Sequence, residues 1–201
     1  MFNVIARVLA WLYDFSGSYA ISIALLTLLI MLVLTPLTLK GTRSMMRIQV
    51  LQPELKRIQT KHKGDRQKMN EEMIELYKKH KVNPLGGCLP MLLQIPVFIG
   101  LYHALFFSIE LRGAPFVGWI DDLSVADPYY VWPVVMGATM FLQQKLNPSI
   151  GDPTQQKIMM MLPIVFTFLF MSFPSGLVLY WTINNLLTIA QQAYIYKFSK
   201  D

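Results

Sequence analysis

The chain has 201 residues, 54% of them hydrophobic and only 15% charged, against the roughly 25% charge of a typical soluble domain. Its 18 Lys and Arg and 12 Asp and Glu are absent from 15–39, 82–109, 128–144 and 158–196. Apolar runs this long and continuous exclude a soluble domain and the alternating strands of a membrane barrel, and leave an integral membrane protein built of helices. The single Cys88 excludes an intrachain disulfide framework.

At the N-terminus, Phe2, Ile5, Leu9, Leu12 and Tyr13 outline an apolar face interrupted by Arg7 and Asp14. Residues 1–18 therefore read as a short amphipathic helix lying in the membrane interface. A cleavable signal is the weaker reading, because neither a positive n-region nor a small-x-small site precedes the first apolar run. That run, 19–39, is the first predicted span.

Residues 40–81 change character. Ile48, Leu51, Leu55 and Ile58 are spaced 3, 4, 3, and Met69, Met73 and Leu76 are spaced 4, 3, as two amphipathic helices sharing one seam require. His62-Lys63-Gly64-Asp65 supplies the turn and Pro53 a kink in the first arm. The hairpin reads either as a solvated stalk or as a docking site for something anionic, such as ribosomal RNA or lipid headgroups, through Arg43, Arg47, Lys56, Arg57, Lys61 and Lys63.

Four further spans follow, at 86–108, 129–146, 158–172 and 175–196. The last two must be separate, because 39 uncharged residues in one helix would extend about 58 Å, and Phe173-Pro174-Ser175-Gly176 is the natural break. Twelve of the eighteen Lys and Arg lie between 40 and 81, which keeps that hairpin in the cytoplasm and places the N-terminus outside and the C-terminus inside. The net charge of +6 thus reports topology, and no recognition of a specific nucleic-acid sequence is expected.

Groups for catalysis are sparse. His62 and His80 fall on the hairpin and His103 stands alone in a span, which makes neither a metal site nor a nucleophile's base. Ser175 reads as a turn residue. No catalytic, metal or cofactor site is expected. The spans instead carry uncharged polarity: Gln94 between Pro90 and Pro96, then Thr139, Gln143 and Gln144, then Asn184, Asn185, Thr188, Gln191 and Gln192. Asn184, Thr188 and Gln191 share one helix face. Such a face is costly in hydrocarbon, so it points to neighbouring helices or to a wet cavity. Met31, Met91, Met136 and Met140 suit either core filling or a surface that accepts varied apolar partners.

The run Lys81-Val82-Asn83-Pro84-Leu85-Gly86-Gly87-Cys88-Leu89-Pro90, with Gln94-Ile95-Pro96, Leu101-Tyr102, Pro128-Tyr129-Tyr130, Gln143-Gln144-Lys145, Asp152-Pro153-Thr154-Gln155-Gln156-Lys157 and 173–181, resembles the YidC/Oxa/Alb family of membrane protein insertases. The order of the motifs over 19–197 makes the resemblance specific, and it is to the five-span core of the bacterial branch, without the extra N-terminal anchor, large periplasmic domain or long basic C-terminal tail of some relatives. The resemblance implies an all-α membrane protein of the bacterial cytoplasmic membrane that inserts hydrophobic segments and helps them fold, alone or with the Sec translocon. Nascent membrane proteins and lipids would be its partners, with the ribosome a further candidate, and no cofactor would be needed. Substrate would enter a hydrophilic groove open to cytoplasm and lipid.

One position departs from the family pattern: the arginine usually found five residues before the proline at 36 is here Met31. The expectation is a groove of neutral groups, Met31, Gln94, Gln143, Gln144, Asn184, Thr188 and Trp181, with Met91, Met136 and Met140 meeting apolar substrate. Trp181 matches a groove tryptophan of relatives. The competing readings are a small transporter or channel subunit, which would call for a charged site or inverted repeats that this sequence lacks, and a structural assembly factor of a membrane complex.

Overall fold

In the computed structural model, residues 2–83, 89–107, 112–146 and 153–198 are described, and side-chain surroundings for those except 2–3, 89–91, 105–107, 153–155, 196 and 198. The described residues form eight α-helices and no strand: α1 Phe2–Ser16, α2 Tyr19–Val50, α3 Gln52–Lys61, α4 Arg66–Lys79, α5 Leu89–Phe107, α6 Val131–Leu146, α7 Pro153–Phe170 and α8 Ser175–Phe198. The fold is all-α. Among them, α2 is the helix both long and apolar enough to cross a bilayer by length and composition, while Leu92–Ala104 and Gln156–Phe170 are shorter apolar stretches.

The amphipathic start folds as a helix whose Leu9 and Leu12 are buried where α1 packs on α2 and α5. Gly17, at φ +67°, takes the left-handed turn that a side chain would oppose. Beyond it the Ser16 and Ser22 hydroxyls lie 2.9 Å apart and the Tyr13 and Tyr19 rings stack at 4.0 Å.

α2 does not stop at residue 40, where the apolar run ends. It passes through Pro36 and continues to Val50, so the first span and the first arm of the hairpin begin as one helix. Thr35 Oγ1 donates to the Met31 carbonyl at 2.7 Å and Thr38 Oγ1 to that of Leu34 at 3.0 Å. These bonds flank the turn in which Pro36 lacks its N–H, and they help to keep the helix intact. The break comes at Leu51, and Pro53 sits in the first turn of α3, where its missing N–H costs nothing.

The hairpin has a core of its own. Ile48, Leu51, Leu55, Met69, Met73, Leu76, Tyr77 and Val82 are buried together with Ile58 against them, the seam that the 3, 4, 3 spacing predicts. Residues 62–64 make the turn, and Asp65 caps α4 by accepting from the Lys68 amide. Glu72 lies 2.8 Å from Lys61 Nζ and 2.9 Å from His62 Nε2; hydrogen bonds from these two groups hold its carboxyl below the ordinary carboxylate range. Burial pushes the Tyr77 hydroxyl the other way, upward.

The larger core gathers Tyr19, Ile23 and Leu26 of α2, Leu101 of α5, Met136 of α6, Phe170 of α7 and Leu177 to Tyr180 of α8. Each lies toward the end at which α2, α6 and α8 begin. A connection at 112–130 covers that end: Ser175 and Gly176 amides donate to the carbonyls of Val125 and Leu123 at 2.8 and 2.9 Å, and Ser175 Oγ to Val125 at 2.9 Å. Asp127, 1% exposed, accepts from Trp119 Nε1 at 2.8 Å, the Tyr129 amide at 3.0 Å and the Trp132 amide at 2.8 Å, which caps α6. Ser175 is thus spent on joining loop to helix.

Candidate functional site

α8 is the hub of the bundle, packing on α2, α5 and α6, and a polar side chain ties it to each. Gln94 of α5 donates its amide to the Tyr180 hydroxyl, Asn185 Nδ2 donates to Thr139 Oγ1 of α6 at 3.1 Å, and Gln191 Nε2 donates to Thr35 Oγ1 of α2 at 3.4 Å. From Tyr180 to Gln191 these bonds run about 16 Å along the helix, roughly half of a 30 Å hydrocarbon layer. All of these groups are neutral, and the sequences 15–39 and 158–196 bring no charge to them.

Thr35 and Gln191 each stand 16 residues beyond the first residue of their helices, or about 24 Å along. The apolar core lies toward the end at which α2 and α8 begin, and the carboxamides of Asn184, Asn185 and Gln191 lie toward the other. Asn184, Thr188 and Gln191 are half-buried on one face of α8, with Thr188 Oγ1 donating to the Asn184 carbonyl at 2.7 Å. Asn185 and Thr182, by contrast, are buried.

Residues 11–201 match the family model described as 60Kd inner membrane protein. The chain belongs to the 60Kd inner membrane protein family. Proteins named membrane protein insertase YidC are close to it: that of Geobacter sp. (strain M21) is 61% identical over 94% of this chain and 35% of its own length, and that of Nitratidesulfovibrio vulgaris (strain DP4) is 59% identical over 96% and 39%. The chain thus spans 35 to 39% of the length of these relatives. It is also similar to a crystal structure of an active YidC insertase with the first transmembrane domain resolved, at TM-score 0.79 and 28% identity, over 96% of this chain and 45% of that one.

Within this family fold the expected site residues separate. Met31 falls along the α2 face and Asn184, Thr188 and Gln191 along that of α8, and Gln143 and Gln144 are half-buried near the end of α6. Gln94 is committed to Tyr180. Trp181 sits in an aromatic cluster, 5.5 Å from Phe98, 5.9 Å from Phe166 and 5.5 Å from Phe170 between ring centroids. Met136 is 0% exposed and packs in the main core, whereas Met140 lies half-buried at its edge. Met91 lies outside the described side chains, as Cys88 lies outside the described residues. Arg43, Arg47, Lys56, Arg57, Lys61 and Lys63 are all exposed.

Three contributors were not singled out from the sequence. Thr35 was hidden in an apolar run, and its only local signal is its position four residues after Met31. Tyr180 is marked in the sequence only as part of the run 173–181, and Asp127 carries no local signal of its three donors.

Proposed function

We propose that this chain is a membrane protein insertase and folding aid of the YidC type, acting on hydrophobic segments of nascent proteins in the bacterial cytoplasmic membrane. The observation that carries the reading is 61% identity to a named insertase over 94% of the chain. Five helices, the first part of α2 with α5, α6, α7 and α8, cross the membrane; α1 lies in the outer interface and the hairpin at 40–81 in the cytoplasm. The twelve Lys and Arg of that hairpin support the orientation, N-terminus out and C-terminus in.

Substrate enters from the cytoplasmic side along Met31, Asn184, Thr188, Gln143 and Gln144, with Trp181 at the deeper end, beside the Gln94–Tyr180 pair that joins α5 to α8, and Met91 and Met140 against its apolar segment. A polar path reaching partway across the bilayer shortens the fully desolvated distance that a substrate's polar tail must cover, because those groups replace part of its water. The core and the 112–130 connection close the far end. Burial of the substrate's own apolar helix, about 25 cal/mol per Å², supplies the driving force, so no nucleotide or other cofactor is needed. Lipids meet the exposed apolar faces, and the hairpin cations Arg43, Arg47, Lys56, Arg57, Lys61 and Lys63 offer a docking surface to the ribosome or to headgroups, with or without the Sec translocon alongside.

Reconstitution of the purified protein with a short-tailed single-span substrate tests this. The tail should become protected from external protease, and photo-crosslinkers at Met31 and Trp181 should capture the substrate. Protection no greater than in protein-free liposomes would overturn the insertase reading, and adducts with lipid alone would overturn the groove.

A further inference from the structure

We infer that Gln191 is a specificity-determining hydrogen-bond acceptor, through which the neutral strip between α2 and α8 favours substrate tails bearing neutral donors over tails bearing carboxylates; this rests on the insertase reading. The Thr35 hydroxyl gives its proton to the Met31 carbonyl at 2.7 Å, so it can only accept from Gln191, whose Nε2 lies 3.4 Å away. That assignment orients the carboxamide, because the flipped form would set two acceptors face to face. Gln191 Oε1 is then turned away from Thr35, buried and without a donor among the described residues. Thr188 adds no proton, since its own goes to the Asn184 carbonyl at 2.7 Å.

The strip therefore offers a buried acceptor without a donor among the described residues and has no cation, while the Asn184 carboxamide brings donors and acceptors alike. No Lys or Arg occurs in 15–39 or in 158–196, which include the facing parts of both helices. A carbonyl buried without a donor is costly, and a ligand that brings one recovers that cost. A peptide N–H, a carboxamide or a hydroxyl brings a donor. A carboxylate brings only acceptors, gives up its water, and meets no counter-charge.

The test uses the reconstituted protein and three single-span substrates, identical except for two Asn, two Ala or two Asp in the translocated tail. Protected tail is measured for each, and the ratio within one preparation does not depend on how much protein is active. The parent should insert the Asn tail at least about fivefold better than the Asp tail, the ratio expected of roughly 1 kcal/mol, with the Ala tail between them. Gln191→Lys should bring the Asn-to-Asp ratio to one or below, and Asn184→Lys, on the same face, should move it the same way if the first variant folds poorly. A parent ratio near one, or an unchanged ratio in a folded lysine variant, would overturn the specificity while leaving the insertase reading intact. Failure of all three tails would instead remove the insertase reading and this inference with it.

Discussion

Gly137 of α6 stands against Thr167 of α7 with no space for a side chain. A Cβ there would overlap the Thr167 hydroxyl and lie 3.2 Å from Thr167 Cβ and 3.5 Å from the Pro163 carbonyl oxygen. Thr167 is held in place by donating to that same carbonyl at 2.8 Å. Because α7 packs chiefly on α6 and leaves Ile164, Val165, Phe168 and Leu169 exposed, this approach largely seats it.

Gly137→Ala should therefore destabilise the bundle by about 1–3 kcal/mol, the usual cost of overpacking. Thr167→Ala in the same chain should recover much of that loss, giving a coupling above roughly 0.5 kcal/mol in a double-mutant cycle. Thermal unfolding in detergent measures all four proteins. A Gly137→Ala protein that melts with the parent would show that the helices are not this close.

Asp127 gathers three donors on one buried carboxylate. Asp127→Asn turns an NH2 toward groups that are themselves donors, and should cost about 2–4 kcal/mol, as expected when a buried charged hydrogen-bond acceptor is lost. The 112–130 connection should become protease-sensitive before the helices do, and Trp119 emission should shift red. Unchanged proteolysis would separate Asp127 from closure of that end.

In the same connection, burial alone would raise the Asp122 carboxyl. Hydrogen bonds from Ser124 and Gly113 and the Arg112 charge outweigh it, and the carboxyl stays below its unfolded value of 3.8. Its contribution is then present above that value and lost as pH falls through the lower folded one. The Ser124 amide resonance, whose N–H donates to Asp122 at 2.8 Å, should titrate with a midpoint below 3.8 and cease to titrate there in Asp122→Asn. A midpoint above 3.8 would contradict the assignment.

Leu55 is 2% exposed in the separate hairpin core. Leu55→Ala should cost the hairpin about 2–5 kcal/mol, enough to open it locally. Hydrogen exchange should rise across 48–82 and stay unchanged in α5, α6 and α8. Equal acceleration everywhere would mean that the two cores unfold as one.

The seam of Ile48, Leu55, Met69 and Met73, the turn at 62–64 and the break before Ser175 were legible because periodicity and turn chemistry act over a few residues. The continuity of α2 through residue 40 was not. Hydropathy changes there and Gly41 is a weak helix former, but Gly41 and Thr42 are buried within α2, so packing carries the helix through. Met136 and Met140 look alike in sequence, four residues apart on α6, yet only Met136 points into the main core.

By itself the sequence determined that this is a helical membrane protein of one recognisable family, with its charge on a hairpin and none on its apolar runs, since composition and spacing are local properties. Only the tertiary structure decided how its polar residues are used. Gln94 and Asn185 are spent on joining helices, whereas Gln191, 156 residues from its partner Thr35, keeps a buried carbonyl without a donor among the described residues. The physical reason is that a hydrogen-bond partner is chosen by proximity in space, and helices so far apart along the chain meet only when the bundle closes.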